Sequence, residues 1–144
     1  MEVWTVGLEG RSAAHFFGLL DKHNLRHVVD VRMPKPDGYG GFVEPEDLAW
    51  FIPRLSSADY RHDAEMAPTQ VVVDRVLAHG GEWDFYREEL FALFDAREIG
   101  ARPPSSLKER SVLLCSSPDH ERCHRSLVLE YLATSWGPIE AVNL

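Results

Sequence analysis

The sequence predicts an α/β fold: one domain over residues 1–144, built on a mainly parallel sheet of about five strands with helices on both faces. Two observations carry this expectation. Short apolar runs rich in β-branched residues, as in strands buried on both sides, alternate with longer stretches whose apolar residues recur at three- and four-residue spacing. The 144 residues, 44% hydrophobic and 26% charged, also suit one compact unit with a sizeable core, and no repeat or low-complexity block points to a solenoid or a tail.

Each element has its own signal. Val3 to Gly7 is a short apolar strand, and Ser12 precedes a helix whose Phe16, Leu19 and Leu20 share one face. His27 to Arg32 reads as a second buried strand. Five Pro or Gly among the nine residues from Pro34 to Phe42 impose a loop. Leu48, Phe51, Ile52 and Leu55 then mark a helix that Pro53 is expected to kink or shorten. A short third strand is expected around Tyr60, and Thr69 caps a helix carrying Val72, Val73, Val76 and Leu77. Trp83, Tyr86, Leu90, Leu93 and Phe94 form the clearest amphipathic stripe. Ser111 to Cys115 is another buried strand. The helix after it starts at Ser117 or near Arg122 and stops at Gly137-Pro138, leaving Ile139 to Leu144 as a last strand.

Charge and composition narrow the function classes. Fifteen Lys and Arg against 23 Asp and Glu give a net charge of −8, which disfavours nucleic acid and anionic membranes as partners unless a local basic patch exists. No apolar run reaches the ~18 residues of a membrane span, and Met1-Glu2 does not begin like a signal peptide. Two cysteines are too few for a disulfide framework, so a cytoplasmic, reducing location is expected.

In open α/β sheets ligands bind beyond the carboxyl ends of the strands. The polar residues predicted there are Arg11 and Ser12 after the first strand, Asp30 and Arg32 at the end of the second, and Cys115 to Ser117 after the fourth. Each also has a structural reading: a glycine turn at Gly7 and Gly10, an internal ion pair for Asp30 and Arg32, an inert buried thiol for either cysteine. The densest run, Cys115 to Ser126, holds Ser117, Cys123, His124 and Arg125. Cationic residues at a helix start oppose the helix dipole, so Arg125 calls for a bound anion or an internal carboxylate such as Asp30 or Asp119. Both thiols sit where their acidity can be raised. A metal set of Cys115, His120, Cys123 and His124 is disfavoured: it lacks a paired knuckle, and adjacent side chains on a helix diverge by about 100°. No metal and no cofactor are expected.

Thr5-Val6-Gly7 with Ser12, then Val28-Val29-Asp30-Val31-Arg32 followed by Pro34, then Leu113-Leu114-Cys115 and Cys123-His124-Arg125-Ser126, together resemble the signature blocks of the family called domain of unknown function 488. The resemblance runs from about Thr5 to Leu132 and implies a fold and a site, with no established reaction attached. Two positions depart from the pattern. Leu8 stands where the family usually has His or Tyr, and Ser117 where it usually has an acid.

The expected function is that of a small enzyme acting on an anionic, phosphate-bearing or nucleotide-like small molecule. In this reading Cys115 or Cys123 is the nucleophile, His124 or Asp30 moves protons, and Arg32, Arg125, Arg11, Ser12 and Ser117 bind. A ligand-sensing or partner-binding module using the same edge is the alternative, and a nucleic-acid-associated protein the third.

Overall fold

A computed structural model describes all 144 residues. Five strands, β1 (Glu2–Gly7), β2 (His27–Asp30), β3 (Asp59–His62), β4 (Ser111–Cys115) and β5 (Glu140–Asn143), form one sheet in the order β3-β2-β4-β1-β5. All four pairings are parallel. The helices are α1 (Ala13–Lys22), α2 (Pro45–Leu55), α3 (Gln70–Ala78), α4 (Trp83–Ala96) and α5 (His124–Trp136).

Local chemistry sets the helix ends. Ser12 Oγ accepts the His15 amide at 3.1 Å to start α1, and Thr69 Oγ1 accepts the Val72 amide at 3.2 Å to start α3. In α2, Pro45 in the first turn and Glu46 and Asp47 beside it suit a helix N-terminus. Pro53 does not end α2. It lies in the last turn, where a missing N–H removes only one ladder bond, and the Ser56 amide still reaches the Ile52 carbonyl at 3.0 Å.

Side-chain alternation along the strands splits the core in two. Val28, Val112, Leu114, Trp4 and Val6 pack with Phe16 and Leu20 of α1 and Leu48 and Ile52 of α2. Val3, Val29, Val31 and Leu113 pack on the other face with Leu90 and Phe94 of α4 and Leu127, Val128 and Leu132 of α5. By the same alternation Asp30 falls on the α1/α2 face, whereas Thr5 and Cys115 fall on the α4/α5 face.

Chain order creates the crevice. From β1 the chain steps outward to β2 and β3; it then returns to insert β4 between β2 and β1, and leaves through α5 to β5. The connection after β4 therefore departs toward the face opposite to those after β1 and β2, a reversal that opens a gap beyond the strand ends. The ends are level: Gly7 pairs with Cys115 and Asp30 with Leu114. The Leu8 amide extends the ladder to the Cys115 carbonyl at 2.9 Å, and the Val31 amide reaches Leu114 at 3.0 Å.

Candidate functional site

Cys115 is the last residue of β4, and Cys123 is the N-cap of α5, reached through a short 3-10 turn at His120–Arg122. Of the two starts the sequence allowed for this helix, the structure takes the later one, and the Asp119 carboxylate caps the turn by accepting the Glu121 amide at 3.0 Å. The backbone of Cys123 is extended, with φ −118° and ψ 141°, so the divergence of neighbours on a helix does not apply between it and His124. For that reason the sulfurs of Cys115 and Cys123 and one ring nitrogen of His124 lie within 4.8 Å of one another, all buried, while His120 stays outside the group.

The imidazole of His124 is fixed at both nitrogens. Nε2 lies 2.5 Å from the Val31 carbonyl and Nδ1 lies 3.5 Å from Cys115 Sγ. A carbonyl only accepts, so Nε2 carries a hydrogen whether the ring is neutral or charged, and Nδ1 is left as the nitrogen that gains or loses the proton. The hydrogen bond from the Cys123 thiol holds Cys115 below its ordinary thiol value against the opposing effect of burial, with help from the Ser116 and Ser117 amides and the charge of Arg125. Cys123 is pushed up to about 12 by that same hydrogen bond and by burial. The two thiols are thus shifted in opposite directions by the same contact.

Arg125 lies in the first turn of α5 and runs under the sheet edge, fully buried. Its Nη1 donates to the Ser117 carbonyl at 2.6 Å and its Nε to Thr5 Oγ1 at 3.2 Å, and no hydrogen-bond partner meets Nη2. Neither Asp30 nor Asp119 pairs with it, so the carboxylate considered from the sequence is absent. Gly7 makes room for this arrangement, because a Cβ there would stand 1.8 Å from the Ser117 carbonyl oxygen and 3.0 Å from Arg125 Nη1. Gly7 is a close-approach glycine as well as the end of a strand.

For Asp30 and Arg32 the ion-pair reading describes the geometry. Asp30 Oδ1 accepts Arg32 Nε at 2.9 Å and Oδ2 accepts Arg32 Nη2 at 2.8 Å, both side chains being buried. The Arg32 amide donates to Oδ1 at 3.1 Å and the Tyr60 hydroxyl to Oδ2 at 2.6 Å, which leaves the carboxylate saturated. Arg11 donates to the Gly7 and Leu144 carbonyls at 2.6 and 2.8 Å, Ser12 caps α1, and the Ser117 hydroxyl donates to the Asp119 carbonyl at 3.2 Å.

A cavity of about 250 Å³ opens above the thiol pair. Cys115, Cys123 and His124 line it together with Arg32, Lys35, Tyr39, Pro68, Tyr86, Ser116, Ser117 and Arg122, and no Asp or Glu is among the lining residues. A neighbouring cleft of about 390 Å³ shares Arg32, Lys35, Tyr39 and Ser116 and extends to Arg11. The Arg32 guanidinium sits 4.1 Å from the centre of the Tyr39 ring, and Lys35 Nζ 4.8 Å from it on the same loop. Lys35, Tyr39, Tyr86 and Arg122 were not singled out from the sequence. Tyr86 was hidden in the apolar stripe of α4, and the other three lie on loops whose course no periodicity reports.

The model of the family described as Domain of unknown function DUF488 matches residues 12–132. The chain belongs to this family. No curated protein and no solved structure matches it. Within the DUF488 pattern, the two departures have visible consequences here. Leu8 is buried in the α1/α2 core and brings no polar group to the cavity. Ser117 brings a hydroxyl, engaged with the Asp119 carbonyl, and no carboxylate lines the cavity. The thiol pair and His124 are three donors of the types that hold a metal ion. The Arg125 guanidinium beside them, without a carboxylate partner, favours an anion such as a thiolate over a divalent cation.

Proposed function

We propose that this DUF488 protein is a small thiol-dependent enzyme acting on an anionic small molecule, phosphate-bearing or nucleotide-like, with Cys115 as the nucleophile. The observation that carries the reading is the cavity: in a chain of net charge −8 it is lined by Arg32, Lys35 and Arg122 with no carboxylate, and its floor is the Cys115–His124 pair. Such a cavity attracts an anion against the mean field of the molecule. Lys35 and Arg122 are exposed at its mouth and are the free cations; Arg32 is neutralised by Asp30 and frames the wall.

In the chemical step, Cys115 Sγ attacks an electrophilic centre of the substrate, a bond forms from sulfur to that centre, and the leaving group departs with its electron pair. The proton that the leaving group takes comes from His124 Nδ1, which received it from the thiol. The Val31 carbonyl stabilises the imidazolium in between through Nε2–H. Arg125 acts as a fixed buried charge beside the thiolate. It does not line the cavity, so it is assigned no direct contact with substrate.

A ligand-sensing module is the second reading, favoured by one observation: with Ser117 where the family usually has an acid, no carboxylate lines the cavity to serve as a further acid or base. To separate the two, the protein is incubated with a panel of phosphate- and carboxylate-bearing electrophiles and examined by mass spectrometry. A covalent adduct at Cys115, absent in Cys115→Ser, and turnover of the reagent that forms it are expected. Reversible binding of the same anions with no adduct and no turnover would replace the enzyme by the sensor.

A further inference from the structure

Cys123 has no part in the proposed reaction. It is buried, lines the same cavity as Cys115, and its sulfur lies within 4.8 Å of both Cys115 Sγ and the His124 ring nitrogen. Cys115 is anchored at the end of a central strand, whereas Cys123 follows the turn at His120–Arg122, outside the sheet and with Glu121 and Arg122 exposed. The short segment between the two cysteines is therefore the part that can yield, and the sulfurs must close to about 2.05 Å for a covalent link.

We infer that Cys115 and Cys123 form a hydroperoxide-oxidised pair, in which Cys115 takes up the oxygen, Cys123 resolves it as an internal disulfide, and an external dithiol restores both thiols. The inference shares with the proposed function the choice of Cys115 as the reactive sulfur and of His124 Nδ1 as the holder of its proton.

The steps balance. The Cys115 thiolate attacks one peroxide oxygen, a sulfur–oxygen bond forms, the oxygen–oxygen bond breaks, and the departing oxygen leaves as water or an alcohol after taking the proton held at His124 Nδ1. Cys115 is now a sulfenic acid, oxidised by two electrons. Cys123 sulfur then attacks Cys115 sulfur, the sulfur–sulfur bond forms, and the hydroxyl leaves as water with the Cys123 proton. Overall two thiols and one hydroperoxide give one disulfide, one water and one water or alcohol. The dithiol reverses it by exchange through a mixed disulfide, becoming a disulfide itself.

The order of events follows from what holds each proton. Cys123 keeps its proton first because of the hydrogen bond it gives to Cys115, and second because of burial. Conversion of the Cys115 thiolate to a neutral sulfenic acid removes the negative charge that this hydrogen bond serves. Cys123, at the N-cap of α5 and with no capping bond from its own side chain, then faces the positive end of a helix, where a thiolate is favoured. The second thiol is thus released for attack only after the first has been oxidised.

The test uses the full reduced chain and hydrogen peroxide, followed by thiol titration and peptide mapping. Wild type should lose both thiols per peroxide consumed, lose two hydrogens in mass, yield a linked Cys115–Cys123 peptide, and regain both thiols with dithiothreitol. Cys123→Ser should stop at one oxygen, trapped by dimedone at Cys115, and Cys115→Ser should not react at the same peroxide dose. The wild-type peptide map is decisive even where a variant folds poorly. Disulfides between two molecules, or over-oxidised Cys115 with Cys123 still free, would overturn the inference. So would Cys115 that resists peroxide while iodoacetamide alkylates it, an outcome that spares the nucleophile reading. Resistance to both reagents would remove both.

Discussion

Around the thiol, single residues exert effects that differ in kind, and substitutions separate them. Removal of the Cys123 hydrogen bond in Cys123→Ala should raise the Cys115 thiol toward its ordinary range, because that bond is the foremost cause of its lowering. Arg125→Met, which keeps an unbranched stem and removes the charge, should also raise it, with Arg125→Lys falling between. Iodoacetamide alkylation rate against pH reads both, and an unchanged Cys115 profile in Arg125→Met would mean that the guanidinium does not act on the sulfur. Gly7→Ala tests geometry instead of charge. A methyl placed 1.8 Å from the Ser117 carbonyl cannot be accommodated without moving the 116–117 backbone. Overpacking of this kind costs about 1–3 kcal/mol, and the displaced amides should also slow Cys115 alkylation. Urea denaturation measures the first effect. A Gly7→Ala protein with wild-type stability and wild-type reactivity would mean that the loop accepts the methyl by a shift without consequence.

The elements show where the sequence was informative and where it was silent. Val3–Gly7, His27–Arg32 and Ser111–Cys115 were legible as strands, the second ending at Asp30 in the structure, because they occupy central places in the sheet, where both faces are apolar and the residues say so. The edge strand β3 was weakly legible, since Asp59 to His62 alternates exposed and half-buried polar residues and its pairing with β2 decides its state. The start of α5 was ambiguous because Pro118 and Asp119 satisfy start rules that only the 3-10 turn uses. Site residues on strand ends, Asp30 and Cys115, were placed correctly at one edge. What each does was not legible: saturation of Asp30 depends on Tyr60, from a strand with a weak signal, and the burial of Arg125 depends on Gly7 and Ser117, far apart in the chain. These contacts lead to a prediction about β2. Asp30→Asn should destabilise the fold by about 3–5 kcal/mol, because it strands a buried guanidinium. Tyr60→Phe, which removes one hydrogen bond to a charged group, should cost about 1.5–3 kcal/mol. Asp30→Asn with near-normal stability but lost reactivity at Cys115 would instead assign Asp30 to the chemistry.

At the scale of the whole molecule, buried and half-buried acids whose values are raised make stability depend on alkaline pH. Tyr39 is pushed up to about 12 by burial, partly offset by Arg32. Tyr131 reaches about 12 through burial and its hydrogen bond to Asp95, and Cys123 about 12 through Cys115 and burial. Tyr60 and Tyr86 are raised further, foremost by burial, then by the negative charge of Asp30 and of Cys115 respectively. In each case the folded value exceeds the unfolded one, near 10 for tyrosine and 8.5 for cysteine. Above the unfolded value the open chain has released protons that the native state still holds, so it binds fewer protons and stability falls as pH rises. Cys115 acts in the opposite sense. Its folded value is depressed, so its contribution is present above the unfolded thiol value and is lost as pH falls through the folded one. Five raised groups, placed in both layers and beside the cavity, oppose this one. The expected result is a denaturation midpoint that declines steadily from about pH 9 to 12, with tyrosine ionisation detected by absorbance appearing together with unfolding. Tyr131→Phe, which cannot ionise, should flatten that decline. Tyrosines that titrate near 10 in the folded protein, ahead of any loss of structure, would show that these hydroxyls are in contact with water and that the packing around the site is looser than the structure describes.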